Sequence, residues 1–462
     1  MSNDDTIFAP ATPSGSGAVS IIRISGAGSF ALADRIVRLR KGSVSETAGY
    51  SIRYGSIPGL DEVLVSVFRA PRSYTGEDSV EISCHASPYI VQKLLQMLSD
   101  EGGRLAEPGE FTRRAFLNGK MDLAQAEAVA DLIAADSQAA HSIAVNQLKG
   151  TYSEELRTIR DRLLELASLL ELELDFSEEE VEFANRSQLR TLLDAAVKHI
   201  TKLTDSFRLG NAIRNGVPVA IVGDVNSGKS TLLNALLGDD RAIVSDIPGT
   251  TRDTVEDCVT IGGVIFRFID TAGIRDASDS IEKKGIERSF AAIDKAHTVI
   301  VVLDGTRTPA ELEISVRTIM RRLAASPAPG RRLILVRNKT DLPEASVSAG
   351  FSPELQDGAS VTLLDISAKE GSGLEALRAV LSEGINSTAS GSTLVSNIRH
   401  YEALCAARDN LSRVSRGLDD SLPAEFIAED LRCAIADLGS IFGEISTDEV
   451  LGRIFERFCI GK

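Results

Sequence analysis

The residues able to do chemistry lie in short segments that follow one another in a fixed order. Gly223 to Thr231 reads GDVNSGKST and fits G-x-x-x-x-G-K-[ST], between the apolar run PVAIV and the helical run TLLNALLG. Its glycines let the backbone wrap an anion, so that Asn226, Ser227, Gly228, Lys229, Ser230 and Thr231 surround phosphate oxygens at a helix N-terminus. The Lys229 ammonium then bridges the β- and γ-phosphates as a catalytic cation, and the Ser230 hydroxyl binds Mg2+. The next segment, SDIPGTTRD, supplies Ser245, Asp246, Ile247, Pro248, Gly249, Thr250 and Thr251. It reads as a switch in which Thr251 is a second Mg2+ ligand that senses the γ-phosphate. DTAG (Asp270, Thr271, Ala272, Gly273) brings a carboxylate to Mg2+ through water and a glycine amide to the γ-phosphate. NKTD contributes Asn338, Lys339 and Asp341, and SAK contributes Ser367, Ala368 and Lys369. The Asp341 carboxylate accepts both the N1 and N2 hydrogens of guanine, a donor pair that adenine lacks, while the Ala368 amide meets guanine O6. Together these predict a site that binds and hydrolyses GTP. One element is missing: after DTAG stands Ile274, an apolar residue where a Ras-like enzyme has a water-orienting glutamine. Hydrolysis must be organised differently.

These segments require strands to carry them. Between Val217 and about Glu383 the apolar runs PVAIV, VIFRFID, TVIVVLD, RLILVRN and VTLLDIS each precede a turn and then a helical or loop segment. That is the look of buried parallel strands in repeated βαβ units. Ile7 to about Gly119 alternates β-rich runs (AVSIIRIS, EVLVSVFRA, SVEISCH) with Gly/Pro/Ser turns and adds a helical stretch from Ile90 to Leu98, which predicts a small α/β or α+β domain. Met121 to Asn215 has apolar residues at three-four spacing and predicts long helices. A polar linker, Asn386 to Asn397, leads into further helix. The expected fold is multidomain α/β, with a P-loop domain (216–384) inserted between two parts of a helical domain (121–215 and 385–462) and preceded by an N-terminal α+β domain (1–120).

At 462 residues the chain is too long for one ordinary core, and its 43% hydrophobic and 25% charged content is globular. No apolar run reaches the roughly 20 residues needed to span a bilayer, and the start MSNDDTIFAP lacks a basic n-region, so no membrane association and a cytoplasmic location are expected. Cys84, Cys258, Cys405, Cys433 and Cys459 are scattered, without zinc or disulfide spacing. A net charge of −16 argues against a broad grip on nucleic acid, so an RNA substrate would need a local basic patch. Asp175 to Glu182 is a concentrated acidic block and reads as a solvated helix end or loop.

Beyond the nucleotide motifs, ATPSGSG and IIRISG near the start, PGEFTRRAFLNGKMDLAQAEAVADLI at Pro108 to Ile133 and the closing FCIGK resemble the MnmE (TrmE) tRNA-modification GTPase family over essentially the whole chain. The resemblance implies an N-terminal domain like tetrahydrofolate-binding folds that makes a homodimer. It also implies a heterotetramer with a flavin-dependent protein of the MnmG/GidA kind. Such an assembly adds a carboxymethylaminomethyl or aminomethyl group to C5 of the wobble uridine, position 34, of certain tRNAs, with the one-carbon unit carried by a tetrahydrofolate derivative (5-formyl- or 5,10-methylene-tetrahydrofolate). It answers the missing glutamine as well: in this family K+ stands in for an arginine finger and a glutamate downstream of DTAG orients water. That glutamate corresponds to Glu282, and the K+ ligands to Asn226, Ser245, Ile247 and Thr250; Arg252 and Arg275 are read as switch or surface residues. The folate contacts fall on Arg23, Glu81, Lys120 and Lys462. A guanidinium and two ammonium groups suit an anionic glutamate tail, and Glu81 suits the pteridine donors. Cys459, by itself a buried filler, occupies the family's functional cysteine position.

Two features depart from the family. The phosphate loop has Asp224 where an Arg-Pro pair commonly precedes Asn226, which predicts weak nucleotide affinity, and SCHASP lacks the glycine pair usual after His85. A ribosome-assembly GTPase of the Era/EngA kind is the rival reading, since it shares the TTRD and DTAG text. Its GXXG-centred RNA-binding module has no counterpart placed in this sequence.

Overall fold

The computed structural model describes residues 5–175, 186–238, 257–269, 292–325, 331–348, 351–352, 361–389, 393–420, 422–444, 448–456 and 458–461. The chain forms two compact units: Met1–Ala130 with Gly439–Lys462, and Asp131–Leu438.

In the first unit a seven-stranded sheet has the order β3-β4-β5-β6-β2-β1-β7. Its strands are β1 (Ile7–Pro10), β2 (Val19–Ser25), β3 (Arg38–Leu39), β4 (Ser51–Ile57), β5 (Asp61–Phe68), β6 (Ser79–His85) and β7 (Arg104–Leu105). Pairing is antiparallel except between β1 and β7. Period-two alternation sends Val63, Val65 and Val67 of β5 into a core with Ile22, Ile24, Val80 and Ile82. That core includes Phe30 and Leu32 of α1 (Ser29–Ile36) and Leu94 and Leu98 of α2 (Pro88–Asp100). The other face keeps Ile52, Tyr54 and Leu64 exposed. After α3 (Glu110–Leu117), the same unit is completed from the far end of the chain by the helix Asp448–Phe455. Two glycines seat that end. A Cβ on Gly109 (φ +68) would lie 2.7 Å from the Phe455 carbonyl oxygen, and one on Gly461 (φ +96) 2.0 Å from that of Pro10. Only glycine fits either backbone there. Gly439–Lys462 thus clusters with the N-terminal strands and not with the helices before it.

The second unit contains a six-stranded sheet of order β13-β12-β11-β8-β10-β9, parallel except for the β9–β10 hairpin. Its strands are β8 (Val217–Gly223), β9 (Asp257–Ile261), β10 (Val264–Phe268), β11 (Thr298–Asp304), β12 (Arg332–Asn338) and β13 (Thr362–Asp365). Strand β11 is buried at every residue because it serves two cores: Ile300 and Val302 enter one, Val299, Val301 and Leu303 the other. The five expected runs all became strands. Strand β9 was not expected from the sequence; it is a short alternating run that pairs only by folding back over Gly262 and Gly263, both at positive φ. Helices α4 (Leu123–Ala134), α5 (Gln138–Leu148), α6 (Thr151–Asp175) and α7 (Arg186–Asn215) fill the predicted helical region. Then come α8 (Lys229–Leu237), α9 (Pro309–Ala325), α10 (Leu374–Ala389), α11 (Ile398–Asp419) and α12 (Ala424–Phe442). The stretch read as a polar linker differs. Helix α10 runs to Ala389, and Leu394 and Val395 are buried, with the Val395 amide donating to Ser206 Oγ at 3.1 Å. Apolar side chains inside a polar run turned it into a packed strap.

Candidate functional site

The carboxyl ends of β8, β11, β12 and β13 lie side by side: Gly223 pairs with Val302, Asp304 with Asn338 and Arg337 with Asp365. β8 sits where the strand order reverses, the position at which open parallel sheets leave a crevice for ligands. The loop from Gly223 fills that position and feeds α8.

The phosphate loop has the backbone that its glycines predicted. Gly223 has φ +150, and a Cβ there would lie 2.2 Å from the Val302 carbonyl oxygen. Asn226 is left-handed at φ 64. Gly228, the N-cap of α8, has φ +97, and a Cβ would meet Asn338 Nδ2 at 2.2 Å. The Lys229 ammonium donates to the carbonyl oxygens of Gly223 at 3.0 Å and Asp224 at 2.7 Å, which holds it across the loop. Burial pushes its pKa down, against the pull of the Asp224 carboxylate. Ser230 and Thr231 open α8. Ser227 is fully buried and its Oγ has no hydrogen-bond partner among the described residues, so a polar atom stands ready inside the loop. Glycine cradle, lysine and orphaned hydroxyl all fit a polyphosphate.

The residues expected to recognise the base converge on the same loop. The Asn338 side chain joins three segments: Nδ2 donates to the Ser227 carbonyl oxygen at 2.9 Å, and Oδ1 accepts from the Ala368 amide at 2.9 Å. Lys339, left-handed at φ 65, donates to Asp304 Oδ2 at 2.7 Å. Burial works to raise the Asp304 pKa, but Lys339 and Thr306 outweigh it and the pKa ends lowered. A hydrogen bond to the Ser367 side chain lowers the pKa of the exposed Asp341, keeping it a carboxylate suited to guanine. Lys369 lies beside it. The sequence reading had not singled out Asp304, nor Arg337. The latter forks onto Asp365 at 2.7 and 2.5 Å and donates to the Ser348 carbonyl oxygen.

Asp224 does not point at the loop's interior. Its Oδ2 accepts from Ser315 of α9 at 2.6 Å and lies 3.7 Å from Arg307. The negative charge of Asp224 is the reason to expect weak nucleotide affinity, and the half-exposed Arg307 offsets that charge only in part. Ser245, Asp246, Ile247, Pro248, Gly249, Thr250, Thr251, Asp270, Thr271, Ala272, Gly273 and Glu282 lie outside the described residues, as do Arg252, Ile274 and Arg275. Asn226 and Ser230 are therefore the described members of the expected metal sets.

In the first unit, Arg23 and Glu81 face each other across β2 and β6, with Nε donating to Oε1 at 2.9 Å. The guanidinium lies over Tyr74 at 5.1 Å and Phe111 at 5.6 Å, and its buried Nη1 has no partner among the described residues. A buried guanidinium with a spare donor beside a carboxylate fits a ligand carrying both acceptors and donors, as a folate does. Lys120 donates to the Pro71 carbonyl oxygen at 3.0 Å and its stem lies against the Gly76 turn, on the loop that carries Tyr74. Neither Tyr74 nor Phe111 was singled out beforehand: none of the motifs includes Tyr74, and Phe111 stands within PGEFTRRAFLNGK without a charge or polar group to mark it. Cys459 is exposed and not a buried filler; its carbonyl oxygen accepts from the Gly109 amide at 3.4 Å. Lys462 lies outside the described residues. No helix among the described residues is long and apolar enough to cross a membrane.

A family model described as the MnmE helical domain matches residues 123–459, and one described as the GTP-binding protein TrmE N-terminus matches residues 6–120. The tRNA modification GTPase MnmE of Parabacteroides distasonis is 50% identical over 467 residues, covering 99% of this chain and 100% of that protein. Its namesake from Bacteroides fragilis is 48% identical over 472 residues and covers 100% of both. Among solved structures, the G domain of the T. maritima FeoB iron transporter is 28% identical, covers 37% of this chain and 98% of its own, and has a TM-score of 0.25, too low to support any argument. Full-length identity of this order leaves no room for the ribosome-assembly reading. The chain belongs to the MnmE family of tRNA modification GTPases and is a multidomain α/β GTPase that acts in tRNA modification.

Proposed function

We propose that the chain hydrolyses GTP in a K+-dependent manner and, with a flavin-dependent MnmG/GidA-type partner, modifies C5 of the wobble uridine of certain tRNAs. The observation that carries the GTP half is Asn338, whose amide links the phosphate loop to the Ala368 amide. Residues 226–231 hold the phosphates, Asp341 and Ala368 read guanine, and Ser230 with Thr251 holds Mg2+, which would offset phosphate charge. Asn226, with Ser245, Ile247 and Thr250, would hold K+, which would offset charge that builds in the transition state, a role for which an arginine finger contributes on the order of 10³ to 10⁵ in rate. Glu282 orients the attacking water, the role left open by Ile274.

The tetrahydrofolate half rests on Arg23, Glu81, Lys120 and Lys462, and the unpartnered Arg23 Nη1 is its support. A tetrahydrofolate derivative would supply the one-carbon unit, with Cys459 near that chemistry. The proposed domain scheme is a folate-binding and dimerising segment (1–120), a GTPase segment (216–384) and helical segments (121–215 and 385–462), acting as a cytoplasmic homodimer.

The test is GTP turnover in K+ against Na+, with Glu282→Ala alongside. We expect turnover to fall at least tenfold in Na+ and about a hundredfold or more in the variant, given that positioned proton-transfer groups contribute about 10² to 10⁴. Equal rates in both salts with an active variant would sink the K+/Glu282 mechanism. Nucleoside analysis of tRNA from cells lacking the protein tests the substrate.

A further inference from the structure

A chain with a net charge of −16 must meet tRNA through a local cationic surface, and the candidates differ sharply in how their cations are used. In the helical region, Arg190 pairs with Asp419, Arg214 with Asp131, Arg413 with Asp430 and Arg432 with Glu171. Those guanidinium groups are already neutralised. At the β3–β4 edge of the N-terminal unit, Arg38, Arg40, Lys41 and Arg53 are all exposed, and none forms an ion pair among the described residues. Antiparallel register puts Arg38 opposite Ser56, and the Arg40 amide donates to the Tyr54 carbonyl oxygen. Arg38, Arg40, Ile52 and Tyr54 therefore share the sheet face that the helices leave uncovered.

Aromatic and apolar groups lie among those charges. The Arg40 guanidinium lies over the Tyr54 ring at 4.4 Å, and Ile52 and Tyr54 are 63% and 38% exposed. A guanidinium plane on an aromatic ring, flanked by free cations, is the chemistry that stacks unpaired bases and holds RNA phosphates. The carboxylates nearby are Glu62, across from Ser56, Glu46, which accepts from the Ser43 amide, and Asp34, which is held by the Val44 and Ser45 amides.

We propose that the β3–β4 edge is a tRNA-binding surface, in which Arg38, Arg40 and Lys41 hold the backbone and Tyr54 stacks a base. This deepens the tRNA-directed reading and rests on it. The test is fluorescence anisotropy of the full-length protein with a labelled, unmodified tRNA transcript over a range of salt. Arg38→Glu with Arg40→Glu weakens binding about tenfold and reduces the slope of log affinity against log salt by about 1.4 to 1.8. Tyr54→Ala weakens binding about fivefold or more and leaves the slope unchanged. Lys93→Glu, a reversal of one exposed charge on α2, alters neither, and GTP turnover and melting temperature are retained throughout.

Unchanged binding in the double variant, or an equal loss with Lys93→Glu, overturns the surface. So does a changed oligomeric state with RNA affinity intact, which assigns this face to a second copy of the chain. Wild-type protein that binds no tRNA at all would instead sink the tRNA-directed reading itself.

Discussion

Asp341 and the Ala368 amide, the proposed guanine contacts, are held by side chains at the end of β12. Asn338 fixes the phosphate loop and the Ala368 amide with its two side-chain atoms, and the preceding Arg337 locks β12 to β13 through Asp365 and to the 343–348 turn through Ser348. That fork ties together the strands that lead to Asp341 and Ala368. We predict that Arg337→Met raises the KM for GTP about tenfold with kcat retained, and that Arg337→Lys, which cannot fork, rescues only part. The Asp365 side chain is 54% exposed, so the stability loss should be about 1 to 2 kcal/mol, below the roughly 3 to 5 of a fully buried pair. An unchanged KM in Arg337→Met would refute the positioning role. Such residues were illegible in the sequence for a physical reason. Gly223, Gly228, Lys229 and Asn338 answer demands of backbone shape or ligand chemistry that recur at fixed spacing. Arg337 with Asp365, or Lys339 with Asp304, depends on strand register over separations of 28 and 35 residues. Arg23 and Glu81 pair across 58 residues and were found only through resemblance.

Elements were legible where their apolar period was strong. The five expected strands announce themselves by continuous apolar runs, of which β11 is buried at every residue, whereas β9 is a short run that forms by folding back on β10 and the Thr393–Asn397 strap takes its form from a partner distant in sequence. At the entry to β11 stands His297, whose carbonyl oxygen accepts from the Arg332 amide and whose Nδ1 has no partner among the described residues. Burial, then the charges of Arg208 and Arg332, push its pKa down to about 4. Unfolded, the imidazole titrates near 6.5. Between these values the unfolded chain holds a proton that the folded one refuses, so stability is full above pH 6.5 and falls as pH drops towards 4, by about 3 kcal/mol. His297→Gln should flatten the acid limb of thermal stability over that window. An identical acid slope in the variant would show that His297 does not titrate as its surroundings dictate.

The whole molecule separates its chemistries between two compact units, with the nucleotide residues in one and the Arg23–Glu81 pair and Cys459 in the other. What completes the first unit is the far end of the chain, and its seating depends on Gly461 at φ +96, 2.0 Å from the Pro10 carbonyl oxygen at the position of a Cβ. Gly461→Ala therefore strains the backbone, at about 1 to 3 kcal/mol, and collides with β1. We predict that the variant releases the segment around Cys459, lowers the melting temperature of the N-terminal unit by a few degrees, weakens binding of a tetrahydrofolate derivative and abolishes tRNA modification. GTP affinity and basal GTP hydrolysis should remain within about twofold of wild type, because Lys229, Asn338 and Asp341 belong to the other unit. Parallel loss of GTP hydrolysis would mean that the nucleotide site depends on how the C-terminal segment is seated; intact folate binding and tRNA modification would mean that the segment serves neither.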